Sequence, residues 1–303
     1  KNAHIALGLI YRTQGKGNMA LNQFKSVVED FPNTAESREA LGLAKIQFAE
    51  LDQLTGYVDW IQTLTGTDIG QGQLDSTLYN GAYDRYSFGD CEGTLKGMTD
   101  YLDKFPDGIF RVPANYYLAE CAFNQGQDSI AMEAYEFVAA SGELSFRKQT
   151  VERLASLYYA EQNFEQAFYY YEQVLGLVGN ADEGRRARLG LMRCAKSLDN
   201  TPVVMQYAES LLQDEALPTD WKTEALLNAA RSAYELKDSA NAKLYYTQVK
   251  GGIKGEAQAE ATYYLAEFDH ITGNYEGSND LLFWQKKIVA VIKLALQAGK
   301  ANP

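Results

Sequence analysis

Histidine and cysteine are scarce in this chain: two His (His4 and His270) and three Cys (Cys91, Cys121 and Cys194) in 303 residues. At these spacings they cannot build a zinc ribbon, a finger or an iron–sulfur site, so no metal and no cofactor are expected. Basic charge is also short, with 28 Lys+Arg against 40 Asp+Glu and a net charge of −12. The resulting long-range field repels polyanions, which argues against nucleic acid as a partner. The longest apolar run, Ile288–Leu296, is interrupted by Lys293 and is too short to cross a bilayer. No basic-then-apolar leader opens the sequence. Lys1 already stands inside an apolar-periodic segment, so an upstream portion is expected to be missing. Any membrane attachment is expected only through a lipid anchor on that portion. Six Pro are few for a chain with many turns, and they disfavour a β-rich fold.

Tyrosine, by contrast, is abundant at 21 residues, and it falls into a repeat. The segment Leu7-Gly8, Tyr11, Gly15, Ala20, Phe24, Val27, Pro32 recurs with substitutions. A small or β-branched residue returns at Ala20, Thr94, Ala131, Ala167, Val204, Ala242 and Ser278, at steps of 74, 37, 36, 37, 38 and 36. The first step spans two units, so a degenerate unit is expected around Ala40–Leu64. A bulky position follows four residues later (Phe24, Met98, Tyr135, Tyr171, Ala208, Tyr246, Leu282). An apolar position comes three further on (Val27, Tyr101, Val138, Val174, Leu211, Val249), and Gln285 breaks that column. Upstream, a small or apolar pair recurs from Leu7-Gly8 through Leu118-Ala119, Leu154-Ala155 and Ala229-Ala230 to Leu265-Ala266.

Each column has a physical cause. Two antiparallel helices approach closely only where a small residue leaves room, and the aromatic one turn later fills the wedge beyond the crossing. Gly15, Gly89, Gly126, Asn163, Asn200 and Asp238 are expected to take the left-handed conformation that ends each first helix. Phe31-Pro32 and Phe105-Pro106 are expected to end second helices, because proline lacks the donor and clashes with the preceding turn. A lone hairpin cannot bury its apolar face, so units must stack. The expected fold is all-α, a right-handed superhelix of about eight hairpins. One domain over residues 1–282 is expected, with units starting near 1, 37, 75, 112, 148, 185, 223 and 259, and an atypical tail over 283–303.

These columns resemble the tetratricopeptide repeat, a helix–turn–helix unit of about 34 residues with the same small and aromatic positions. The phrase Asp103-Lys104-Phe105-Pro106-Asp107-Gly108, leading into Ala114-Asn115-Tyr116-Tyr117-Leu118-Ala119, is similar to repeats of bacterial envelope proteins. Among them are the lipoprotein of the outer-membrane β-barrel assembly machine and the periplasmic partner of the Tol–Pal system. The resemblance implies a protein-binding scaffold, periplasmic or outer-membrane-associated, with a cytoplasmic adaptor as the alternative. Residues 286–303 resemble the start of the bacterial ribosomal protein at the base of the large-subunit stalk, which implies a non-native tail; a capping terminal helix is the alternative.

Chemistry is sparse. Gly15-Lys16-Gly17 lacks the strand and spacing of a phosphate loop. Ser145-Phe146-Arg147-Lys148 spells S-x-x-K without its companion K-T-G, and no G-x-S-x-G elbow occurs. Asp84 and Asp90 offer paired carboxylates of the kind used by helical-hairpin carbohydrate-active enzymes, which is the catalytic alternative. With 40 acidic residues, such pairs also arise on any solvated helix face. Cys91 and Cys121 sit in neighbouring units, where a bridge and two free thiols both remain open; Cys194 reads as a small buried residue.

In the family resembled, the inner face is formed by positions 2, 5, 9, 12 and 13 of each first helix. Two features follow there. An aromatic row (Tyr79, Tyr83, Tyr86, Tyr116, Phe123, Tyr159) offers contact area and hydroxyls to a partner peptide, or packs between units. A basic cluster including Arg186, Arg193 and Lys196 suits an acidic segment, or pairs with neighbouring Glu. Ile5 and Leu9 occupy the first-unit positions of the carboxylate clamp known from chaperone-binding repeats, which disfavours that clamp. No catalytic residue is expected; the expectation is a non-catalytic scaffold for a protein or peptide partner.

Overall fold

A computed structural model describes residues 1–64, 69–252 and 255–271. Fifteen α-helices and no strand occur among the described residues. They run α1 (Asn2–Thr13), α2 (Gly17–Asp30), α3 (Ala35–Glu50), α4 (Leu54–Thr63), α5 (Gln71–Ser87), α6 (Cys91–Lys104), α7 (Arg111–Asn124) and α8 (Asp128–Ser141). Then follow α9 (Leu144–Ala160), α10 (Phe164–Gly176), α11 (Ala181–Ser197), α12 (Thr201–Leu212), α13 (Thr219–Glu235), α14 (Ser239–Gly252) and α15 (Glu256–Ile271). The chain divides into two compact units at Thr150/Val151. Within each, helices pack chiefly on their neighbours in sequence, α1 on α2 and α2 on α3 in the first unit, α10 on α11 through to α14 on α15 in the second. That is the all-α stacked-hairpin architecture the repeat demands.

The repeat columns form the core. Ala20, Thr94, Ala131, Ala167 and Ala242 are wholly buried, as are Phe24, Met98, Tyr135 and Tyr246 beside them. The close approach is visible at Gly8, where an added Cβ would lie 2.4 Å from the Phe24 ring, and at Gly190, where it would meet Tyr171 at 2.6 Å. Glycine is therefore fixed there by the neighbouring ring. The degenerate second hairpin, α3 and α4, fills its interior with Phe48, Tyr57 and Trp60, whose ring centroids lie 5.7 to 6.3 Å apart.

Second helices stop where proline requires: α2 ends one residue before Phe31-Pro32 and α6 one residue before Phe105-Pro106. The turn column needs correction in half the hairpins. Gly15, Gly89 and Gly126 are left-handed, but in the later turns that conformation falls one residue before the expected position, on Gln162, Asp199 and Lys237. Asn163 and Asp238 instead cap the second helix, accepting the amides of Gln166 and Asn241 at 3.3 and 3.1 Å. Short polar side chains serve both roles, and only the backbone trace separates them.

Cys91, at the start of α6, and Cys121, in α7, form a disulfide with their Cα atoms 5.1 Å apart. Cys194 is a free, buried thiol, pushed up to about 12 by burial. The side chain of His270, the positions Ser278, Leu282 and Gln285, and the tail over 283–303 lie outside the described residues.

Candidate functional site

The first unit holds most of the aromatic row. Tyr79 of α5 stacks on Phe110 at 4.3 Å between centroids, and Tyr116 of α7 stacks on Phe146 of α9 at the same 4.3 Å. Both tyrosines are buried. Each ring thus joins one first helix to the segment opening the next, and serves packing before recognition. Burial raises the Tyr79 phenol well above its ordinary range. Between the two stacks, Tyr117 lies 4.9 Å from Tyr83 and 4.5 Å from Tyr86. Tyr83, Tyr86 and Tyr117 are half-buried, and burial first, then the neighbouring phenols, push Tyr117 up to about 12. Phe123 is half-buried near the end of α7.

Buried carboxylates brace this unit. Asp75 accepts from the Tyr101 hydroxyl at 2.8 Å and from the Ile109 amide at 3.1 Å. Glu120 accepts from the Tyr135 hydroxyl and, at 3.0 Å, from the Gln149 amide. Each is engaged by structural donors. Asp90 is likewise engaged. It caps α6 through the Gly93 amide and pairs with Arg85, and these contacts, in that order, hold its carboxyl below the usual range.

The second unit contains a cavity of about 430 Å³ between α9, α10, α11 and α13. That volume falls within the range of small-ligand pockets. Of the residues singled out from sequence, Tyr159, Arg186 and Arg193 line it together. Tyr171 and Trp221 add aromatic wall, Val174 and Leu189 apolar floor, and Glu152, Arg153, Ser156 and Glu183 polar rim. Arg193 is already held by Glu224, with Nε and Nη2 donating to the two carboxylate oxygens at 2.8 and 2.7 Å. That hydrogen bonding is the main cause raising the Arg193 guanidinium above its ordinary value. Glu183 belongs to the start of α11, accepting the Gly179 amide at 2.7 Å while Asn180 accepts its own amide at 3.0 Å. Burial raises the Tyr171 phenol most, with the Ser156 hydroxyl opposing. Lys196 lines a different cavity, of about 200 Å³, with Asn200, Asn228, Arg231 and Glu235.

Phe110, Phe146, Tyr117 and Trp221 were not singled out from sequence. Phe110, Phe146, Glu183 and Trp221 nevertheless form a column of their own, at steps of 36, 37 and 38, just before each first helix's inner positions. That spacing was the available signal. Among the described residues, no group of three or more His, Cys, Asp or Glu is arranged to hold a metal ion.

Residues 224–251, covering most of α13 and of α14, match the family model of the tetratricopeptide repeat. No curated protein matches the sequence. Among solved structures, the C-terminal part of a TPR repeat-containing protein from Cytophaga hutchinsonii is 16% identical, covering 82% of this chain and 93% of that one, with a TM-score of 0.44. PilW, a type IV pilus biogenesis factor, is 15% identical over 73% of this chain and 96% of its own, with a TM-score of 0.36. A tetratricopeptide repeat protein from Parabacteroides merdae is 13% identical over 88% of this chain and 97% of its own, with a TM-score of 0.31.

Proposed function

We propose that this chain is a non-catalytic scaffold that holds a segment of a partner protein against its first helices, in the assembly of a bacterial cell envelope. The observation that carries the binding site is the cavity of the second unit, where Tyr159, Arg186 and Arg193 converge beside Tyr171 and Trp221. Large rings with polar tips and Arg forks are the side chains that dominate protein recognition. Asp90, one of the two carboxylates offered for the carbohydrate-active alternative, is occupied by the Gly93 amide and Arg85, which favours binding. The match over residues 224–251 supports a repeat whose usual work is protein contact.

The envelope location draws support from the Cys91–Cys121 disulfide, because such bonds persist in oxidising compartments and are rare in the cytosol. A photo-crosslinking amino acid at Tyr159, compared with one at the exposed Tyr169 of α10, tests the site in host cells. A discrete adduct from position 159 and none from 169 is expected; equal adducts from both would dismiss the cavity as the binding place. Thiol trapping in intact cells tests the compartment, with full oxidation of Cys91 and Cys121 expected and free thiols pointing to the cytoplasmic adaptor.

A further inference from the structure

Corresponding positions on consecutive first helices are joined by a ladder of side-chain contacts. Its rungs link the ninth position of one first helix to the second position of the next. Glu120 and Gln149 meet at 3.0 Å. Arg193 and Glu224 meet through two bonds of 2.8 and 2.7 Å. Arg231 and Glu260 repeat that fork, with Nε donating at 2.7 Å. A second set of contacts joins the fifth position to the residue preceding the next inner face: Tyr79 on Phe110, then Tyr116 on Phe146. In the α11-to-α13 step the pair is Leu189 and Trp221, with Trp221 packed on the apolar cluster that holds Leu189.

Among the steps from α7 onward, one lacks both. Between α9 and α11 the ninth position is Ser156 and the second is Arg186, so a hydroxymethyl stands where the later steps have Arg, and a cation where they have Glu. The ring-bearing positions are Glu152 and Glu183, two carboxylates in place of a stack. The cavity of about 430 Å³ lies at this step and is lined by all four. Arg186 is exposed and makes no ion pair among the described residues, whereas Arg193 beside it is fully engaged by Glu224. A small residue thus leaves the space, and an inverted charge leaves a fork without its carboxylate.

Resting on the binding site proposed above, we propose that the partner supplies the missing rung: a peptide segment places one Asp or Glu side chain on Arg186 and the adjacent apolar residue against Tyr159, Tyr171 and Trp221. Arg presents two parallel donors that match a carboxylate, which makes the contact directional. Glu152 lines the same space, which disfavours a second acidic residue beside the first. The charge of the site is local, within a chain of net charge −12.

The test is a positional-scanning library of synthetic peptides screened on the whole chain, followed by titration of the selected peptide. Enrichment of Asp or Glu at one position, next to an apolar residue, is expected. Arg186→Glu is expected to weaken the selected peptide at least about tenfold and to turn the preference toward Lys or Arg. The double variant Ser156→Arg with Arg186→Glu rebuilds the rung in its usual sense; it is expected to melt higher than wild type and to bind no selected peptide. An acidic preference that survives Arg186→Glu would overturn the inference. Retained peptides with no acidic preference would overturn it while leaving the binding site standing, and a library from which nothing is retained would overturn both.

Discussion

Arg193 of α11 grips Glu224 of α13 through two parallel hydrogen bonds, at 2.8 and 2.7 Å, and Arg231 repeats the grip on Glu260 one hairpin later. The two forks are 38 residues apart at their Arg ends, so the repeat carries a specific polar contact as well as a core. Both partners of the first fork are partly exposed, which limits its worth. A double-mutant cycle on Arg193→Ala and Glu224→Ala should give a coupling of about 1 kcal/mol, shrinking with added salt. A coupling near zero at low salt would show that the forks only decorate the surface.

The disulfide ties α6 to α7 across 30 residues of sequence. Loop closure of that length restricts the unfolded chain by about 3–4 kcal/mol. Calorimetry with and without reductant should therefore show a marked fall in melting temperature on reduction. Cys91→Ser with Cys121→Ser should reproduce that fall and abolish further sensitivity to reductant.

Tyr116 and Tyr86 look alike in sequence but differ in burial. Tyr116 is 9% exposed and lies face to face with Phe146, whereas Tyr86 is half-buried. Tyr116→Ala should destabilise by about 3 kcal/mol and Tyr86→Ala by about 1 kcal/mol or less, measured by urea unfolding. Equal losses at the two positions would contradict the packing role assigned to Tyr116.

Asp214 accepts from Arg185 at 2.7 Å and from the Ala216 amide at 2.9 Å, and these hydrogen bonds hold its carboxyl below the usual range. A folded-state value below the unfolded one means that its stabilisation is complete above about pH 4. It is then lost as pH falls through the lowered value. Melting temperatures of wild type and Asp214→Asn should differ between pH 5 and 7 and converge near pH 2. A gap that persists in acid would assign the effect to shape instead of charge.

Much of the architecture is readable along the chain because the repeat imposes the same constraint many times. Ala20, Phe24 and Val27 would mean little once; repeated through Ala242, Tyr246 and Val249 they define a helix pair and its interior, and all six are wholly buried. Proline stops are equally local, since Phe31-Pro32 and Phe105-Pro106 act on their own backbone. Turn residues were legible only to within one position, because Asn163 and Asp238 suit a left-handed turn and a helix cap equally well.

Sequence alone determined the hairpin unit, its period and the residue columns that form its core, because those follow from local backbone preference and from spacing along one chain. Tertiary structure decided which inner-face residues are available. Tyr79 and Tyr116 were spent on Phe110 and Phe146, and Arg193 on Glu224, while Arg186 was left beside a cavity. Those outcomes depend on pairs of side chains about 30 residues apart meeting or failing to meet, and no spacing rule states in advance which of two equivalent positions will find its partner.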